Sequence, residues 1–104
     1  MRAKEAIEIA GGLREVSQFA ERIAKTNEVE VEVCPHQNEE DPTDEFCDFL
    51  NVLFYYKPDR YEGFCQANRA IAAWLSKKGL ALSYECSGDG EGGRIIMSYR
   101  VIAA

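Results

Sequence analysis

The sequence predicts an α+β domain in the order helix, strand, strand, helix, strand, strand, folded as a four-stranded antiparallel sheet with two helices packed on one face. Three observations predict it. EVEVEVC, residues 28 to 34, alternates strictly between acid and valine. Two stretches, 13 to 27 and 59 to 79, carry apolar residues at helical spacing. LALSYEC and RIIMSYRVI flank the glycine-rich SGDGEGG as the arms of a terminal hairpin.

In the first helix, Leu13, Val16, Phe19, Ala20 and Ile23 form the apolar stripe, with Arg14, Glu15, Glu21, Arg22 and Lys25 opposite. Asn27 is placed to end it in the left-handed conformation. AKEAIEIA upstream also suits a helix, but Gly11 and Gly12 would cost roughly 2 kcal/mol inside one, so a hinge or helix start belongs there. In the first strand Val29, Val31 and Val33 face the core while Glu28, Glu30 and Glu32 face out. DFLNVLFYYK, residues 48 to 57, fits a helix through Phe46, Phe49, Leu50, Leu53 and Phe54. Its valine, phenylalanine and tyrosine content decides for a strand.

Lys57-Pro58-Asp59 breaks that strand, and Asp59 with Glu62 provides a capping arrangement for the second helix. Tyr61, Phe64, Ala67, Ile71, Trp74 and Leu75 line its buried side, and Gly79 ends it. In the hairpin, Leu80, Leu82 and Tyr84 share a face with Ile95, Met97, Tyr99 and Val101. Residues 19 to 34 align without gaps on 71 to 86, matching Ala20 with Ala72, Lys25 with Lys77 and Cys34 with Cys86. The apolar alternation of the two strands is one residue out of step, so the match supports the order of elements rather than a duplication.

The 104 residues predict a single domain, 1 to 104, with enough chain for a core without metal or disulfide staples. Glu5 and Glu8 interrupt any apolar run of the length a signal peptide or membrane span needs, so the expectation is a cytoplasmic protein with reduced cysteines and no membrane partner. The net charge of −6 is unevenly spread: residues 1 to 27 carry +1, residues 50 to 104 carry +2, and residues 28 to 49 carry −9 without a single Lys or Arg. Direct binding to nucleic-acid phosphates is disfavoured, because that affinity depends on basic side chains displacing counterions.

Motifs for chemistry are few. Cys34 and His36 stand two apart and would share a face of a strand. With Cys47 or Cys86 they offer a metal-dependent or thiol-dependent alternative, but a structural zinc site calls for two closely spaced pairs. As a nucleophile and base, the same pair sits in the most acidic part of the chain, which opposes thiolate formation. SGDGEGG supplies Asp89 and Glu91 where a phosphate loop needs Lys and Ser or Thr, and it lacks the regular oxygen ligands of a calcium loop. The carboxylates between Pro35 and Phe46 read as a solvated loop rather than a catalytic pair in a cleft.

The acidic run itself is the remaining feature. Glu28, Glu30, Glu32, Glu39, Glu40, Asp41, Asp44 and Glu45 form a negative surface, with Tyr55 or Tyr56 adding a contact that sheds water. The expectation is a non-catalytic, cofactor-free module that docks on a basic protein surface. In its sharpest form it is a small phage-type inhibitor or modulator occupying the phosphate groove of a nucleic-acid-binding protein. Two alternatives stand beside it. Lys57, Arg94 or Arg100 offsets the glutamates, leaving an ordinary solvated face, or the chain is a structural homodimer, against which rows of like charge argue.

Overall fold

The structure is a computed structural model and describes residues 1 to 36 and 49 to 104. Among them the chain runs through α1 (Ala3–Ala10), α2 (Leu13–Thr26), β1 (Glu30–His36), β2 (Phe49–Tyr56), α3 (Tyr61–Ser76), β3 (Leu80–Asp89) and β4 (Ile95–Ala103). Short 3₁₀ turns at Pro58–Arg60 and Glu91–Gly93 precede α3 and β4. The class is α+β, with three helices and a four-stranded antiparallel sheet ordered β1-β2-β4-β3. None of the described helices is long and apolar enough to cross a membrane.

The expectation of two helices is corrected to three. Gly11 and Gly12 break the chain between helices rather than beginning the first one. Gly11 takes φ 97°, a conformation costly for any residue with a Cβ, and Gly12 N–H donates back to the Ile7 carbonyl at 2.8 Å. Lys78 fixes the break from outside, donating to the Ala10 carbonyl at 2.9 Å while lying 4.3 Å from the centre of the Trp74 ring.

β2 supplies the centre of the core. Leu50, Val52, Phe54 and Tyr56 are all buried, the period-2 signature that decides strand over helix for this segment. Cross-strand pairing aligns Val31 with Phe54, Val33 with Val52, and Phe54 with Met97 in turn. Phe64 of α3 stacks on Tyr56, with ring centres 4.7 Å apart, and meets Phe54 edge-on at 5.2 Å. Phe19 of α2 stacks on Trp74 of α3 at 4.6 Å, joining the two helices.

Several local expectations are corrected. Asn27 ends α2 with φ −106° and a side-chain hydrogen bond to the Ile23 carbonyl, and the left-handed residue is Glu28, at φ 56°. Asp59 sits inside the 3₁₀ turn, and α3 begins without a side-chain cap. Tyr61 is 59% exposed rather than part of the buried side. The hairpin pairs Leu82 with Val101 and Tyr84 with Tyr99 on one face as expected, but β3 extends through Asp89 and shortens the loop. A bulge between Tyr84 and Cys86 absorbs the one-residue slip between the matched strands, returning Cys86 to the face that carries Cys34.

Candidate functional site

The alternation of β1 sends Val31 and Val33 toward the core and Glu30, Glu32 and Cys34 to the opposite face. Across the ladder these face Tyr55, Leu53 and Asn51 of β2, and beyond them Ile96, Ser98 and Arg100 of β4. Tyr55 therefore lies beside the glutamate row. Tyr56 points the other way and is buried at 4% exposure, so of the two tyrosines only Tyr55 is placed for surface contact.

Each glutamate already has a protein partner. Glu28 pairs with Arg60 at 2.7 Å, Glu30 pairs with Arg94 at 2.7 Å, and Glu32 accepts the Tyr55 hydroxyl at 2.9 Å. The Arg94 guanidinium also lies 5.3 Å from the centre of the Tyr55 ring. Burial first, then the Glu32 carboxylate as hydrogen-bond acceptor and as negative charge, push the Tyr55 phenol above its ordinary value, with Arg94 pulling the other way. A cleft of about 430 Å³ opens at this end of the sheet between Glu28, Glu30, Tyr55, Lys57, Asp59, Arg60 and Arg94. Its acids and bases balance, so it has no strong preference for either sign.

Farther along the same face, Arg100 pairs with Glu85 at 2.6 Å and lies 3.8 Å from the centre of the Phe49 ring. Sequence reasoning offered Arg100 as an offset for the β1 glutamates. The register instead sends it to a β3 carboxylate, while Arg94 takes Glu30. Arg60 was not anticipated as a partner for Glu28. The left-handed Glu28 turns its side chain toward the 3₁₀ turn, and a positive φ at a glutamate is not legible from spacing.

Of the cysteine and histidine alternative, the described residues test only whether Cys86 could join Cys34. Cys34 lies on β1 and Cys86 on β3, the two edges of the sheet, so three strand spacings of about 4.8 Å put them ~14 Å apart, too far to ligate one ion. Burial and then the Glu32 charge push the Cys34 thiol up, against nucleophile chemistry. Glu39, Glu40, Asp41, Asp44, Glu45 and Cys47, with the side chain of His36, lie outside the described residues.

Comparison with known proteins finds no family model, no curated protein and no solved structure that matches this chain.

Proposed function

We propose that this chain is a non-catalytic acidic docking module, which binds a basic surface of a partner protein through residues 28 to 45 with Tyr55 alongside. The partner's surface is of the kind that otherwise holds nucleic-acid phosphates, and occupying it modulates or blocks that protein. One observation carries the reading: the charges of residues 1 to 36 and 49 to 104 balance, and the surplus acid is concentrated at one point of the chain. Six of the eighteen acids fall in residues 37 to 48 with no base among them, which leaves twelve acids against twelve bases in the described residues. Glu28 and Glu30 are paired with Arg60 and Arg94, while Glu32 accepts the neutral Tyr55 hydroxyl and keeps its charge, so the surplus acid of the sequence falls in residues 37 to 48, directly after the acidic strand β1.

The test neutralises the acids of residues 39 to 45 and leaves every described residue unchanged in sequence. The combined variant Glu39→Gln, Glu40→Gln, Asp41→Asn, Asp44→Asn, Glu45→Gln is compared with the parent chain for capture of proteins from host extract at about 50 mM salt, with and without excess duplex DNA as competitor. The reading expects a basic partner that the parent retains, that DNA releases, and that the variant fails to hold. Equal retention by both chains, or retention indifferent to DNA, sinks it.

A further inference from the structure

Among the described residues, the outer edge of β1 has no neighbouring strand. Strand order places β1 outermost, and among the described residues no main-chain group of Glu30 to Cys34 hydrogen-bonds outside the ladder with β2. Beside this edge, on the helix side, a groove of about 260 Å³ is lined by Glu21, Ala24, Lys25, Val29, Glu30 and Val31, with Ala24, Val29 and Val31 as its apolar floor. On the other side of the strand stand Glu30 and Glu32. Each gives one carboxylate oxygen to Arg94 or Tyr55, and the other oxygen of each has no protein donor among the described residues. The Glu30 side chain is 72% exposed despite its ion pair.

The geometry points to β1 as a strand-addition site for an extended segment of a basic partner, in which Lys or Arg alternates with small apolar residues. A strand laid about 4.8 Å outside β1 would form main-chain hydrogen bonds along Glu30 to Cys34. Alternate side chains would drop toward Ala24 and Val31, and the others would stand beside Glu30 and Glu32. Charge selects this occupant over a second copy of the chain, because antiparallel self-pairing at β1 would set glutamate against glutamate on one face. Pro35 lacks a donor and limits the usable edge to the residues before it. The β3 edge is a poorer template, since the bulge between Tyr84 and Cys86 interrupts its ladder. This inference rests on the acidic-docking reading above and gives the partner a conformation and a residue pattern.

The experiment uses three synthetic peptides of about nine residues: alternating Lys and Val, the same peptide N-methylated at every second backbone nitrogen, and a block peptide of identical composition. At low salt the alternating peptide is expected to bind at least about tenfold tighter than either control and to slow amide exchange in Glu30 to Cys34 but not in β3. Glu30→Gln with Glu32→Gln should weaken that binding about tenfold. Equal affinity for the three peptides, protection at β3, or no binding by any of them overturns the inference. The acidic-docking reading is judged separately by neutralising residues 39 to 45, which leaves β1 intact, so the two failures are distinguishable.

Discussion

The hydroxyl of Tyr55 donates to Oε2 of Glu32 across 2.9 Å, linking the one surface-facing tyrosine of the Tyr55-Tyr56 pair to the last acid of the Glu28, Glu30, Glu32 row. Glu32 sits diagonally from Tyr55 in the ladder, where Tyr55 directly opposes Glu30. Through Arg94, which pairs with Glu30 and lies near the Tyr55 ring, the row is tied to β4 as well.

An alkaline stability signature follows from this contact. The folded-state value of the phenol is raised, so its contribution is fully present below the unfolded value of about 10 and is lost as pH rises through the higher folded value. Thermal melts from pH 8 to 11 should show a steeper alkaline loss in the parent chain than in Tyr55→Phe. Tyr56 and Tyr99 are shifted in the same direction, so the variant removes only one share of the slope. Glu32→Gln should bring the Tyr55 titration down, read by NMR. A Tyr55 titration unchanged in that variant would contradict the assignment.

The Glu30–Arg94 pair makes opposite demands on its two members. As an exposed ion pair it contributes less than about 1 kcal/mol to stability, so Glu30→Gln and Arg94→Gln should each melt close to the parent. If the face docks on a basic surface, Arg94→Gln unmasks a carboxylate and tightens partner binding several-fold at low salt, whereas Glu30→Gln weakens it. The difference should close near 0.5 M salt, where charges are screened beyond about 4 Å. Shifts in the same direction for both variants would remove this face from the interface.

Gly63 is fixed by a contact between helices. A Cβ there would clash with the Asn27 carbonyl oxygen, a backbone atom that cannot swing aside. Alanine normally gains about 1 kcal/mol over glycine inside a helix. Here Gly63→Ala should instead cost about 1–3 kcal/mol, lowering Tm by roughly 5–15 °C. A melt at or above the parent's would show that the start of α3 can move away from the end of α2.

Thiol reactivity should follow the separation of the two sheet edges. Cys86 is exposed on β3, while Cys34 is half-buried with its thiol pushed up by burial and by Glu32. Alkylation at pH 8 with peptide mapping should label Cys86 before Cys34, and Glu32→Gln should narrow the gap. Faster labelling at Cys34 would reverse the electrostatic account of that site.

The folding pattern was largely written in residue periodicity, because the burying of one face imposes a period of its own. Period 2 at Val29, Val31 and Val33 marked the first strand, residue content rather than period favoured a strand over residues 48 to 57, and the hairpin puts Tyr84 and Tyr99 on one face as expected. The additional helix α1 was legible only in part, since two adjacent glycines read equally as a hinge or a helix start until Lys78 and Trp74, distant in sequence, are seen to hold the break.

By itself, then, the sequence determined the α+β class and the place of the surplus charge, because these depend on side-chain chemistry and spacing along one segment, whereas residues 49 to 56 fitted helix and strand alike until their burial is seen. Only the tertiary structure decided which bases answer which acids. Arg60, Arg94 and Arg100 are equivalent as charges in the sequence, and cross-strand register with a left-handed turn at Glu28 assigns them to Glu28, Glu30 and Glu85. It also decided that Tyr55 rather than Tyr56 faces outward, and that Cys34 and Cys86 occupy opposite edges, since the order of strands in a sheet is fixed by long-range pairing that no local pattern contains.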